Sequence, residues 1–260
     1  MTTASVPSLF ISHGAPDLPL SECPAQSFLA QLGHQLPLPK AVLVISPHWM
    51  TSIPTLATAP QMRAIHDFGG FSQALYQLRY DAPGFSTDLH QAISDRLKAA
   101  RLPIAVDPSR GLDHGAWVPL LLMYPDAQIP VAQLSLPPHW QPSQLLSLGQ
   151  ALAGLRDEGV LILASGSATH NLSAFGGRSV NSPPPDWVQD FEQWLVAAVE
   201  QGDIAKLSAY AQAPYAQENH PTPEHLLPLF VAIGAGNTSG RLLHRSYTYG
   251  IFSMAAFSFG

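Results

Sequence analysis

Three short apolar runs constrain this chain more than any other feature: SLFIS at 8–12, AVLVIS at 41–46 and VLILAS at 160–165, each ending in serine. Runs of this length, apolar and partly β-branched, fit strands buried on both faces of a sheet. Each is followed within a few residues by a histidine: His13, His48 and His170. Open α/β sheets place their ligand crevice outside the carboxyl ends of the strands, so three imidazoles delivered there separately can converge on one metal ion. A fourth histidine, His225, stands in a Pro-Thr-Pro-Glu-His segment.

Between the runs the pattern turns helical. A helix is expected from Ser21 to Leu36, with Phe28, Leu29 and Leu32 on one face. Residues 71–78 and 86–100 read as two more, separated by Pro83-Gly84. A weak strand at 104–106, a short apolar helix at 116–123 and a strand at 131–136 follow. An amphipathic helix over 142–158 ends at Gly159 and leads straight into the third apolar run. Strands recurring with helices between them imply a three-layer α/β/α fold around a central, largely parallel or mixed sheet. Pro183-Pro184-Pro185 precedes helical patterns at 187–200 and 204–212, which suggests a helical cap after about residue 180. The Tyr-, Phe- and Ser-rich segment 247–259 reads as a final strand at or near a sheet edge. No repeat or linker divides the chain, so one catalytic domain over 1–260 is expected.

Composition narrows the function classes. With 46% hydrophobic residues the chain can build a substantial core. Twelve Lys and Arg form no basic run, and a net charge of −6 argues against a nucleic-acid partner. No apolar stretch approaches the roughly 20 residues of a membrane span. The segment Met1 to Pro7 has no basic leader pattern, so a cytoplasmic location is expected. Cys23 is the single cysteine, which leaves imidazole and carboxylate as the available metal ligands.

Six ordered motifs then carry a resemblance: Ser12-His13-Gly14-Ala15-Pro16, Ser46-Pro47-His48-Trp49, Ile65-His66-Asp67-Phe68-Gly69-Gly70-Phe71, Asp113-His114-Gly115-Ala116-Trp117, Ser165-Gly166-Ser167-Ala168-Thr169-His170-Asn171-Leu172 and Pro221-Thr222-Pro223-Glu224-His225. In order and spacing they resemble the class III extradiol ring-cleavage dioxygenases, and within these the 4,5-DOPA extradiol dioxygenase-like branch. The resemblance spans essentially the whole chain. Ala15, Pro47 and Ser167-Ala168-Thr169 depart from the usual pattern, and none removes a side chain the chemistry requires.

The resemblance implies an Fe(II) site that takes a catechol through both ring oxygens with O2 beside it, opening the ring to a muconic semialdehyde-type product. By position, His13, His48 and His225 are its ligands and His170 the acid–base residue. Imidazole suits Fe and Zn, and a facial set of three leaves positions open for substrate and O2. Histidine titrates near neutrality, so an unligated His170 can take and return a proton. His66 and His114 are assigned to the pocket wall as substrate or O2 contacts. Zn(II) fits the same site, and His170 then becomes a candidate fourth ligand. Glu224 competes with His225 as third ligand, since related extradiol enzymes use a carboxylate there. His220 is a further rival.

Other classes stand beside this reading. A zinc hydrolase would use the same imidazoles to activate water, but no H-E-x-x-H motif is present. A serine hydrolase built on Ser165-Gly166-Ser167 lacks the G-x-S-x-G elbow. A non-catalytic metal-binding protein predicts a filled coordination shell and no substrate cavity.

Overall fold

A computed structural model describes residues 5–260. Residues 1–4, where the segment without a leader pattern begins, lie outside the described residues. The apolar runs form strands β1 (Ser8–Ser12), β2 (Ala41–Met50) and β8 (Val160–Gly166). They join β3 (Thr55–Ala57), β6 (Ala105–Asp107), β7 (Val131–Leu136), β9 (Gly240–His244) and β12 (Ala256–Phe259) in one eight-stranded sheet, ordered β6-β3-β7-β2-β8-β1-β12-β9. The four central strands, β7, β2, β8 and β1, are mutually parallel. The flanks are mixed, because β3 runs antiparallel to β7 and β12 antiparallel to both β1 and β9. Two short ribbons lie outside it: β4 (Gln61–Met62) with β5 (Ala82–Pro83), and β10 (Tyr247–Thr248) with β11 (Phe252–Ser253).

The period-two alternation of the strands divides the interior into two layers. Leu9, Ile11, Val42, Val44, Leu161 and Leu163 face α1 (Pro24–Gln35) and α3 (His114–Met123). Phe10, Leu43, Ile45, Ile162 and Ala164 face the opposite way. There they meet α2 (Thr87–Ala99), α4 (Pro142–Leu152), α5 (Asp186–Gln201), α6 (Ile204–Ser208) and α8 (Pro228–Gly236). A single turn, α7 (Ala216–Asn219), connects α6 to the segment carrying His225. The expected three-layer α/β/α arrangement is the one observed.

Several elements differ from the sequence expectation. Residues 71–78 form only a 3-10 turn at Leu75–Gln77, because Leu75 packs into the loop layer and no neighbouring turn supports a helix. The amphipathic pattern at 142–158 stops as α-helix at Leu152 and tightens into a 3-10 turn. Residues beyond 180 do not form a separate helical cap: α5 and α8 cover the sheet, and β9 and β12 enter it. The closing strand β12, in contrast, lies near the sheet edge as expected, between β1 and the edge strand β9. Helix α8 escapes a pattern reading because it is buried all round, and a helix without a polar face has no period to detect.

Helices α4 and α8 cross at very close range. A Cβ built on Gly149 would lie 2.2 Å from the Val231 carbonyl oxygen, and one on Gly234 would lie 2.2 Å from that of Leu146. We expect Gly149→Ala to force these helices apart and to cost about 1–3 kcal/mol, the usual range for overpacking. Gly176→Ala, whose Cβ would meet nothing within 4 Å, should leave stability nearly unchanged. Urea unfolding of the two variants tests this, and equal midpoints would contradict the close crossing.

Candidate metal centre and its pocket

The carboxyl ends of the central strands gather the histidines. His13 follows β1 directly, its backbone N–H bonded to the Gly166 carbonyl at 3.0 Å. His48 lies inside β2 rather than beyond it. The register against β7 shifts between Ser46 and Met50, and this irregularity turns its side chain toward the centre. His225 arrives from a turn before α8, not from a strand end. Its carbonyl accepts from Ser167 N–H at 2.9 Å and stands 2.3 Å from where a Cβ on Gly166 would be, so glycine is required there.

Three imidazoles meet at one point. Nε2 of His48 lies 3.2 Å from Nε2 of His13 and 3.3 Å from Nε2 of His225. The three ring centroids are 5.0, 5.1 and 5.5 Å apart. His114 stands beside them, its ring 3.9 Å from that of His48, and His170 stacks on His225 at 3.5 Å with 8° between the planes. By donor proximity alone, two sets could hold an ion: His13, His48 and His114, or His170, Glu224 and His225. The His48 Nε2 contacts link the two sets.

Buried partners fix which nitrogen of His13 and of His225 carries the proton. Ser165 Oγ donates to the Gly115 carbonyl, so toward His13 Nδ1, 2.9 Å away, it can only accept. His13 is therefore protonated on Nδ1, and its Nε2 lone pair faces the centre. Glu224 Oε1 lies 3.0 Å from His225 Nδ1 and fixes that ring in the same way. Burial, reinforced by the neighbouring imidazoles, holds His13 and His225 well below the ordinary histidine pKa. His48 is pushed down to about 3, by burial and then by His114. His170 falls to about 4, by burial and then by His220. The centre is thus a cluster of neutral rings, the form that binds metal ions.

A ring of supporting groups completes it. Asp113, fully buried at the N-cap of α3, accepts from Ser46 Oγ at 2.7 Å and from Ala116 N–H at 3.2 Å. Burial pushes its carboxyl pKa up, and hydrogen bonds from Gln133 and Ser46 work against that rise. Ser46 Oγ in turn accepts from His48 N–H at 3.3 Å. Gly115 leaves the room the rings occupy, since a Cβ there would lie 2.5 Å from Ser46 Oγ and 2.9 Å from His48 Cδ2. Asp67 Oδ1 accepts from both Nδ1 and the backbone N–H of His114 at 3.0 Å, and its Oδ2 lies 3.9 Å from His48 Nδ1. Burial alone would raise the Asp67 pKa, but the His114 donors outweigh it and hold the carboxylate below its usual range.

The centre opens into a cavity of about 250 Å³, walled by Phe68 and Phe71 on one side and by Leu172, Phe175 and Phe252 on the other. His114 reaches this cavity and His66 does not. His66 stands behind Phe68, with Nε2 3.1 Å from the Leu78 carbonyl, and its ring packs among Phe68, Tyr76 and Trp117. The reason is the backbone at Ile65–Phe68, which presents Asp67 inward and leaves its neighbour His66 behind. His220 is likewise turned away, with Nε2 3.0 Å from the Ala168 carbonyl. Sequence reasoning missed Ser165 and Asp67 as supporting residues, although both stand within the motifs that carry the histidines.

Comparison with known proteins places the chain. Residues 9–259 match the family described as the catalytic LigB subunit of aromatic ring-opening dioxygenase. The chain is 42% identical to a 4,5-DOPA dioxygenase extradiol of Beta vulgaris, over 97% of this chain and 96% of that protein. It is 38% identical to a protein of the same name from Escherichia coli K12, over 90% and 87%. The crystal structure of an uncharacterised Escherichia coli K12 protein superposes with a TM-score of 0.81 at 32% identity, covering 98% of this chain and 100% of that one. The six motifs, the eight-stranded sheet and the clustered neutral imidazoles therefore belong to a known lineage: the chain is a member of the family of the catalytic LigB subunit of aromatic ring-opening dioxygenase, and an extradiol ring-opening enzyme.

Proposed function

We propose that this single catalytic domain opens the ring of a catechol with O2, beside rather than between the two hydroxyls, at a metal held by His13, His48 and His225. The observation that carries this reading is the pair of Nε2 contacts that His48 makes, one to His13 and one to His225. Imidazole nitrogens sit about 2.0–2.1 Å from a first-row metal ion, so two ligands on one ion stand about 2.8–3.4 Å apart between right-angled and tetrahedral geometry. The contacts of 3.2 and 3.3 Å fall in that range, with the Nε2 lone pairs of His13 and His225 already aimed inward. Fe(II) bound there supplies the redox contact between catecholate and O2. Zn(II) fits the same donors and would occupy the site without that capacity.

The other residues divide the remaining work. Glu224 supports His225 from behind, which favours the imidazole over the carboxylate as third ligand. An ion lies in the plane of an imidazole that binds it, and the nearly parallel planes of His170 and His225, stacked at 3.5 Å, cannot both contain one ion. This argues against His170 as a fourth ligand and leaves it free to take the second catechol proton and return it. His114 Nε2 is left available to a substrate hydroxyl or O2, because Nδ1 is engaged by Asp67. The aromatic walls exclude water and hold a flat ring. Arg63, Arg110 and Arg178 do not line the cavity, and no Lys or Arg does so among the described residues. A catechol with a neutral or zwitterionic side chain, DOPA included, therefore suits it better than protocatechuate.

Three expectations follow. Anaerobic Fe(II) loading followed by O2 uptake should yield a yellow ring-cleaved product from DOPA, with kcat/KM above that for protocatechuate. An intradiol diacid product would defeat the reading. His13→Ala, His48→Ala and His225→Ala should each lose metal, by mass spectrometry, while circular dichroism shows the fold intact. Glu224→Ala should retain metal with affinity lowered about 10–100-fold. Metal loss in Glu224→Ala with full occupancy in His225→Ala would identify the carboxylate as the ligand. His170→Gln should keep metal and bind catechol, yet turn over about 10²–10⁴-fold more slowly. A metal-free His170→Gln protein would make that histidine a ligand.

A further inference from the structure

We propose that Asp67 forms a subsite for a cationic group on the arm of the substrate, so that the pocket selects catechols with an ammonium-bearing side chain over those with a carboxylate-bearing one. The proposal rests on the catechol reading above and names the substrate class within it.

Apart from histidines, Asp67 is the single ionisable side chain lining the cavity among the described residues, and burial keeps His13, His48, His170 and His225 neutral. Its two oxygens are used unequally. Oδ1 accepts both N–H groups of His114, whereas Oδ2 has only His48 Nδ1 at 3.9 Å, beyond hydrogen-bond reach. One carboxylate oxygen is therefore uncommitted, on a side chain only 23% exposed. Water screens such a charge less than it would on the surface.

Position decides what that oxygen can meet. Asp67 stands against the Nδ1 edges of His48 and His114, whereas the centre lies off Nε2 of His48. The carboxylate is thus set back from the Nε2 cluster while still lining the cavity, where an arm of the substrate would meet it. Phe68 and Phe71 flank the same wall, packed edge to face at 5.5 Å, and aromatic faces also attract a cation. An anionic arm finds no compensating charge. Arg110 is turned to the His48 carbonyl and Asp113 and lies over the Trp49 ring at 5.1 Å, and Arg178 donates to the Ala174 carbonyl.

The test uses three catechols of matched size, with an aminoethyl, an ethyl or a carboxymethyl arm para to one hydroxyl. Their binding to Fe(II)-loaded protein is measured by calorimetry under argon, and turnover is then measured in air. We expect the aminoethyl compound to bind about tenfold or more tighter than the carboxymethyl compound, the scale of one partly buried charge interaction. In Asp67→Asn, which keeps an acceptor for His114, that ratio should fall toward one, with the ethyl compound as internal reference. Wild-type protein that binds all three alike or prefers the anion overturns the proposal, as does a ratio unchanged in Asp67→Asn. An equal loss of affinity for all three compounds in Asp67→Asn would also overturn it, reducing Asp67 to a support for His114. Discrimination in binding without ring-cleaved product from any compound would defeat the catechol dioxygenase reading and leave the subsite standing. Failure of the wild-type protein to bind any of them would defeat both.

Discussion

Four imidazoles crowded at the end of a sheet, those of His13, His48, His170 and His225, are held neutral by their burial, and the architecture around the site is arranged to that end. A protonated ring here would be desolvated and would face other imidazoles at ring distances between 3.5 and 5.6 Å. Burial and mutual repulsion act in the same direction on His13, His48 and His225, so these rings surrender a proton and offer a lone pair. The same neutrality suits a divalent cation, because three uncharged ligands leave it its full charge to bind a catecholate.

Neutral rings still need to be aimed, and here buried polar groups contribute through geometry. Ser165, Glu224 and Asp67 occupy the Nδ1 sides of His13, His225 and His114. Each accepts one proton and so fixes one tautomer. Asp113 does the same for the backbone, joining the start of α3 to Ser46 on β2 and hence to His48. These polar groups are affordable in the interior because each is hydrogen-bonded. Glycine at 115 and 166 lets the backbone of α3 and of the His225 turn approach closely enough for the rings to meet.

The cavity beyond the centre has a different character. Its walls are aromatic, its one fixed charge is negative, and the cations nearest in sequence are committed elsewhere. Reaction type and substrate preference therefore lie in separate parts of the molecule. In the reading proposed above, the carboxyl edge of the sheet and the turn that carries His225 set the first, and the loop around Asp67, with the loop carrying Leu172 and Phe175, shapes the second. Loops diverge more readily than the strands that support them, so the arm-binding wall is where related enzymes of this fold have most freedom to differ.

The sequence by itself determined the parts governed by local pattern. Apolar runs of five to seven residues could only be buried strands, and the histidines after β1 and β8 fell at its carboxyl edge because strand direction is shared in a parallel sheet. The motif order was equally legible. What the sequence could not decide depended on contacts between distant segments. Helix α8 is buried on every side and so carries no amphipathic signal, and β12 inserts between β1 and β9 only because both partners are already in place. His66 and Asp67 are neighbours, yet only one of them can face the cavity, and the tertiary path of the Ile65–Phe68 segment chose the aspartate. The same holds for His225 and Glu224. Adjacent side chains point apart, and here His225 turns toward His48 while Glu224 stands behind it, an arrangement held by the contact between the His225 carbonyl and the distant Ser167 N–H.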